Sequence, residues 1–176
     1  MGELFDKLAN YGNSGIYPFH MPGHKRQKTV DFNPYKIDIT EIEGFDNLHH
    51  AEGVLLEAQK KAEKLYGSEE SHFLINGSTA GILSAVSACA KKTVLIARNC
   101  HKAVYHAALI RNLDVYYVYP EIQEEFMLNG GINPADVERS LEEHPEIEAV
   151  VITSPTYDGI VSDVKRIAEI AHAHKK

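Results

Sequence analysis

The sequence lacks features that are typical of several large classes of protein. It has two cysteines, Cys89 and Cys100, too few for a disulfide framework and consistent with a reducing cytoplasm. No apolar run reaches the roughly 18 residues that a membrane span needs. The first twelve residues, MGELFDKLANYG, lack the basic head and apolar block of a secretory signal. The net charge of −7 offers no attraction to polyanions, so we expect neither a nucleic acid nor a membrane as a partner.

What the sequence does contain is a regular alternation of apolar runs and helical periodicity. Apolar residues make up 44% of the chain, and 176 residues are enough for one domain with a real core. We predict strands at 71–75, 93–97, 114–120 and 147–153. We predict helices at 3–10, 51–65, 79–90, 102–112, 134–143 and 163–174. This order predicts an α/β fold with a mainly parallel sheet flanked by helices in three layers.

The first fifty residues read differently from the rest. Segment 12–39 is long, irregular and rich in glycine and proline, which is uncommon unless a segment is functional or packed on a partner. We therefore divide the chain into an N-terminal helix and irregular arm, 1–50, and a sheet domain, 51–176.

Polar residues follow the predicted strands, where ligands bind in open α/β sheets. After the first strand comes Gly77-Ser78-Thr79, and a helix follows at once. Free N–H groups, two hydroxyls and a glycine at a helix start are typical of a phosphate cradle. A plain N-cap explains the same residues. Neither a P-loop nor a G-x-G-x-x-G pattern is present, which disfavours a nucleoside triphosphate or a dinucleotide.

Histidines provide two further candidate sites. His101 follows the second predicted strand, where its imidazole could stack on an aromatic ligand or move a proton, although an ordinary loop histidine would look the same. His20 and His24 have the spacing of a helical zinc pair, but Pro22 and Gly23 between them argue against a helix, so we expect no metal site.

Five segments follow one another along nearly the whole chain: IYPFHMPGHK (16–25), DITEIEGFDNLHHAEGVLLEAQKKAEKLYG (38–67), FLINGSTAG (73–81), VLIARNCHKAVYHAALI (94–110) and VVITSPTYDGIVSDVKRIAEIAH (150–172). In this order they resemble the ornithine/lysine/arginine decarboxylase family, pyridoxal-phosphate enzymes with the aspartate-aminotransferase-like fold. The compact bacterial branch, which begins almost directly at the large domain, is the most similar. The resemblance implies a cytoplasmic enzyme that forms dimers or larger homo-oligomers and acts on arginine, lysine or ornithine.

The resemblance also implies roles for particular residues. Gly77, Ser78 and Thr79 match the positions that hold the phosphate of pyridoxal 5'-phosphate. His101 matches the histidine that stacks on the cofactor ring, and Thr156 a position beside that ring. The remaining matches lie around the mouth of the active site, often at a dimer interface: His20, His24, Lys25, Asp46 and Asn47, together with Glu41 and His49, whose individual roles stay unassigned.

The sequence departs from the family in one respect. The family has an Asp in a D-E-A-H-like strand end, which binds the ring nitrogen, and a Lys in Ser-x-His-Lys, which binds the cofactor covalently. These 176 residues contain neither motif, and nothing marks Lys25 or Lys102 as a substitute. We therefore expect part of a large domain, inactive alone, whose incomplete sheet pairs with another copy or a missing partner. The alternatives are a non-catalytic dimerisation or interaction module, or another enzyme of the same fold type, such as an aminotransferase or aldolase.

Overall fold

A computed structural model describes residues 3–19, 24–27, 31–40 and 42–176. The chain divides into two units, Met1–Ser71 and His72–Lys176. The first contains helix α1 (Glu3–Gly12), a 3-10 turn (Pro34–Lys36) and helix α2 (Val54–Tyr66). The second contains α3 (Gly77–Cys89), β1 (Thr93–Ala97), α4 (Lys102–Arg111), β2 (Asp114–Val118), β3 (Ile122–Gln123), β4 (Leu128–Asn129), α5 (Pro134–Glu143), β5 (Ala149–Val151) and α6 (Val164–Ala173).

The sheet of the second unit is parallel and has the order β2-β1-β5. Every residue of β1 is buried, as a central strand covered on both faces requires. Val94 and Ile96 pack against α3 and α4 on one face, whereas Leu95 and Ala97 pack against α5 and α6 on the other. The three-layer α/β arrangement predicted from the sequence is confirmed.

Two stretches differ from the predicted elements. Residues 71–75 do not form a strand, because no strand of the described chain lies beside them to complete a ladder, and Phe73, Leu74 and Ile75 are exposed. The helix predicted from residue 79 begins at Gly77. A short antiparallel hairpin, β3 with β4, arises in a stretch for which we predicted no strand.

The first unit has no comparable core in its described residues, since both buried clusters belong to the second unit. Helix α1 exposes Leu4, Phe5 and Leu8, each by more than half. The division of the chain into an N-terminal helix and irregular arm, 1–50, and a sheet domain, 51–176, stays a prediction. None of the described helices has both the length and the apolar character needed to cross a bilayer.

Candidate functional site

The N-terminus of α3 presents unused donors. Asn76 occupies the N-cap position, but its side chain makes no capping hydrogen bond. The first amides of an α-helix have no acceptor within the helix and carry a partial positive charge. Ser78 and Thr79 lie in this first turn and are exposed, so their hydroxyls add two donors at the same place. This helix start has the donor chemistry of an anion site.

Gly77 gives that helix start its shape. Its φ is +65°, in the left-handed region that glycine adopts without strain, and a Cβ built on it would meet no atom within 4 Å. The space that a side chain would fill is therefore open, and a ligand can approach the backbone directly.

His101 lies between β1 and α4 as the N-cap of α4. Its Nδ1 accepts a hydrogen bond from the backbone N–H of Ala103 at 3.1 Å. A nitrogen that accepts carries no proton, so the neutral ring bears its hydrogen on Nε2. The side chain is exposed, and its ring plane is held by the cap.

His101 also lines a groove of about 850 Å³ in the second unit. The groove follows β5 and is bordered by α3 on one side and α6 on the other. Ile82 of α3 lines it, and Ser78 lies one helical turn before Ile82 on the same helix face. The hydroxyl of Ser78 and the imidazole of His101 therefore belong to the same end of the sheet, where β1 and β5 end.

Thr156 lies in the loop after β5 but does not line the groove. Its Oγ1 accepts from the backbone N–H of Ile160 at 3.1 Å, and its own N–H donates to the Ile160 carbonyl at 2.8 Å. These two hydrogen bonds between Thr156 and Ile160 thus close the loop. Ser154, to which no role was assigned from the sequence, lines the groove and accepts the N–H of Ser162 at 3.0 Å. The Ser-Pro pair directly after an apolar strand is the sequence feature that could have indicated Ser154.

The residues assigned to the active-site mouth belong to the first unit. His20 and Glu41 lie outside the described residues. The Nδ1 of His24 accepts the backbone N–H of Arg26 at 3.0 Å, and the Nζ of Lys25 donates to the Phe19 carbonyl at 3.3 Å. Both side chains take part in a local turn of the arm.

Among the described residues of this group, Asp46 accepts the most hydrogen bonds. Its carboxylate accepts four backbone N–H groups at 2.8–3.0 Å, from Asn47, Glu52, Gly53 and Leu55. These bonds, the one from Glu52 above all, lower the pKa of Asp46 to about 2. Because Leu55 lies in the first turn of α2, the carboxylate caps that helix from a distance.

Asn47 continues this arrangement. Its Oδ1 accepts the N–H of His49 at 2.8 Å, and its backbone carbonyl accepts the N–H of His50 at 3.0 Å. The pair Asp46-Asn47 thus organises its own loop. The sequence pointed to these residues, but the bonds that engage them were not evident from their spacing.

Comparison with known proteins gives a family for this chain. Residues 3–176 match the model described as "Orn/Lys/Arg decarboxylase, major domain". The chain is 36% identical to the uncharacterized protein YaaO of Bacillus subtilis, covering 96% of this chain and 37% of that protein. It is 31% identical to an arginine decarboxylase of Bacillus cereus, covering 97% of this chain and 39% of that enzyme. The chain thus spans less than two-fifths of the length of these relatives.

Solved structures agree with this match. The constitutive lysine decarboxylase of Escherichia coli superposes with a TM-score of 0.66 at 25% identity, over 97% of this chain and 27% of that one. A pyridoxal-phosphate-bound C-S lyase from Staphylococcus hominis superposes with a TM-score of 0.52 at 16% identity, over 76% of this chain and 36% of that one. The second likeness concerns the fold alone.

Proposed function

Because this chain belongs to the Orn/Lys/Arg decarboxylase family, whose major domain its residues 3–176 match, we propose that it forms the phosphate-binding part of a pyridoxal-phosphate site in a larger basic amino-acid decarboxylase. The observation that carries the proposal is the uncapped start of α3. Ser78, Thr79 and the open backbone at Gly77 present donors to an anion at the carboxyl end of the sheet.

The residues present fit the phosphate of this cofactor. A phosphate needs several donors directed at one point, and the α3 start supplies free amides and two hydroxyls. Gly77 keeps the approach clear of side-chain atoms. We assign the phosphate grip to Gly77, Ser78 and Thr79.

The cofactor ring would lie against His101. The hydrogen bond from the Ala103 amide to Nδ1 fixes the imidazole plane and leaves Nε2 as a donor. His101 can therefore cover a flat ring and hold a proton at Nε2. Thr156, whose hydroxyl already closes its own loop, would act beside the ring by positioning that loop. When bound, the cofactor supplies the electron sink that lets carbon dioxide leave an amino acid.

Substrate selection would involve the arm. In this proposal His20, His24, Lys25, Asp46 and Asn47 border the mouth, and the substrate is arginine, lysine or ornithine. Asp46 has its carboxylate committed to four backbone amides, so its role there is to position its loop. Exposed apolar side chains of the first unit, among them Phe5, Leu8 and Phe45, support a second copy of the chain as a partner. Two free cysteines support the cytoplasm as its location.

The 176 residues alone would not complete the reaction. They lack the D-E-A-H-like and Ser-x-His-Lys motifs, and the chain spans 37% of YaaO and 39% of the B. cereus enzyme. We therefore expect no carbon dioxide from arginine, lysine or ornithine added with the cofactor. Release by the purified 176-residue chain would contradict this part of the proposal.

The phosphate grip can be tested by a binding titration. Wild type should bind pyridoxal phosphate more tightly than pyridoxal, which lacks the phosphate, as measured by equilibrium dialysis. Replacing both hydroxyls, Ser78→Ala with Thr79→Ala, should weaken pyridoxal phosphate binding by roughly tenfold or more, because two hydrogen bonds to an anion are lost. Ser84→Ala, on an exposed position of the same helix, is the matched control. Equal affinity of the double variant, or of pyridoxal, would reject the assignment.

A further inference from the structure

Arg98 follows β1 directly, and its guanidinium is held in one place by tyrosines. Nη1 donates a hydrogen bond to the Tyr105 hydroxyl at 2.8 Å, and that hydroxyl donates to the Arg98 carbonyl at 2.6 Å. The guanidinium carbon lies 5.4 Å from the ring centroid of Tyr105 and 5.6 Å from that of Tyr117. Both rings attract the cation, so this exposed side chain is ordered before any ligand arrives, and binding costs less side-chain entropy.

This ordered cation has no carboxylate partner. Arg139 pairs with Asp136 and Arg166 with Glu169, but within the described part of the chain no carboxylate oxygen lies within 4.0 Å of the Arg98 guanidinium. The chain has 25 acidic residues against 18 basic ones, so an arginine without an acidic neighbour stands out. Among the described residues only its Nη1 is bonded, and Nε and Nη2 remain as donors along one edge of the planar group. Two parallel N–H groups on one edge match the two oxygens of a carboxylate.

A small cavity lies beside Arg98, where β1 and β2 end. It is lined by Arg98, Asn99, Tyr119, Pro120, Ile122 and Asn129. Its volume is about 150 Å³, many times the roughly 10–15 Å³ that a single water needs. Ligands of open α/β sheets bind at the carboxyl ends of the strands, and this cavity occupies that position at the β2 side of the sheet.

We propose that this cavity binds a small monocarboxylate, with both oxygens on the Nε–Nη2 edge of Arg98 and a short hydrocarbon chain against Tyr119 and Ile122. The cation and its planar edge select a carboxylate over a neutral amide of the same shape. One guanidinium balances one negative charge, whereas a phosphate dianion would leave a second charge beside apolar residues. The inference goes beyond the proposed function and does not depend on pyridoxal phosphate.

Butyrate is the probe, and NMR of the 176-residue chain is the measurement. Butyrate should shift the Nε–H resonance of Arg98 and the backbone amides of Tyr119 and Ile122, and the shifts should saturate together. Butyramide has nearly the same shape without the charge and should bind at least roughly tenfold more weakly. Potassium chloride at equal ionic strength controls for the effect of salt.

Two variants separate the arginine edge from the cavity. Arg98→Lys keeps the charge but loses the paired donors, and should weaken butyrate binding by roughly fivefold or more. Ile122→Trp leaves Arg98 intact and fills the cavity from an exposed hairpin position, so it should abolish the saturable shifts. Arg139→Gln is the matched control, because it removes an exposed arginine that does not line the cavity, and should leave butyrate binding unchanged.

Several results would overturn the proposal. Butyrate shifts that never saturate, that butyramide reproduces at equal concentration, or that keep their midpoint in Ile122→Trp would each do so. The butyramide and Ile122→Trp results decide the matter even if Arg98→Lys does not fold. Inorganic phosphate that displaced butyrate from the Arg98 Nε–H would assign the cavity to another class of anion. Shifts of that resonance that grow with protein concentration alone would assign it to a carboxylate of a second copy, again against the proposal.

Discussion

Helices α2 and α3 are equally long, thirteen residues each, and both begin beside a glycine, but their first turns meet different surroundings. At α2 the carboxylate of Asp46 accepts the amides of Glu52, Gly53 and Leu55. At α3 the Asn76 side chain makes no capping bond. The start of α2 is neutralised by a carboxylate of the chain, whereas the start of α3 has no side-chain cap, and it is there that we propose an anion binds.

In our proposal, this difference separates a helix start that serves the fold from one that binds a ligand. A cap of the chain's own stabilises a helix at all times, whereas an uncapped start gives up that stability and gains it only when a ligand supplies the charge. The same loop sequence that resembles an active-site motif, GFDN, is thus used for architecture at Asp46. The small residues that resemble an ordinary cap, GST, are exposed, and to them we assign ligand binding.

The largest effect is expected when the α2 cap is removed. Asp46→Ala deletes the acceptor of four backbone amides, so the loop from Asn47 to Leu55 and the first turn of α2 should loosen together. Exchange of the Leu55 amide should accelerate by roughly tenfold or more, as for loss of a strong N-cap. The amides of α3 should not change. Asp46→Asn keeps one oxygen acceptor and should have a smaller effect; an equal loss in both variants would show that charge is unimportant.

A fall in pH should gradually loosen the same loop and the first turn of α2. The pKa of Asp46 is lowered from its usual 3.8 to about 2 by its backbone hydrogen bonds. A carboxyl whose pKa is depressed in the folded state stabilises that state above its unfolded pKa, and this contribution is lost as the pH falls from about 4 through about 2. NMR titration of the Asp46 carboxyl carbon should give a midpoint near 2, with the Gly53 and Leu55 amides following it. A midpoint at the usual value would contradict the capping role.

The sequence was a sound guide to elements that carry clear local signals. Five-residue β1 and helix α5, with Pro134 in its first turn, follow directly from apolar runs and cap residues. The strand predicted at 71–75 did not form, because a strand requires a neighbour, and apolar composition alone does not supply one.

The candidate site was predictable in part for a related reason. His101 and Ser78 were both proposed because each follows a predicted strand. The strand before His101 is present as β1, whereas the one predicted before Ser78 did not form. The role of Asp46 was not predicted. Its carboxylate accepts backbone amides that lie six to nine residues later in the chain, in a loop that folds back to it. The groove along β5 depends on which strand lies at the edge of the sheet, and residue patterns do not encode that order.

A smaller effect is expected from giving α3 a cap of its own. Asn76→Asp places a carboxylate at the N-cap of α3, where it should stabilise the helix and repel a bound phosphate. Affinity for inorganic phosphate and for pyridoxal phosphate should fall by roughly tenfold, measured by dialysis or calorimetry. Asn133→Asp is the matched control, because Asn133 caps α5 by accepting the Ala135 amide and lies away from the groove. Unchanged phosphate affinity in Asn76→Asp would indicate that the anion binds elsewhere.

The smallest effect concerns two glycines with nearly the same backbone. Gly67 ends α2 at φ +66° and Gly77 begins α3 at φ +65°, and a Cβ at either would meet no atom within 4 Å. Alanine should therefore cost about 1 kcal/mol at both positions through backbone strain alone, measured by denaturant unfolding. Only Gly77→Ala should also weaken phosphate binding, because only there does the added methyl group occupy the approach to the free amides. If the two variants bound phosphate equally well, Gly77 would be a turn residue like Gly67, and the opening at α3 would have no part in holding the anion.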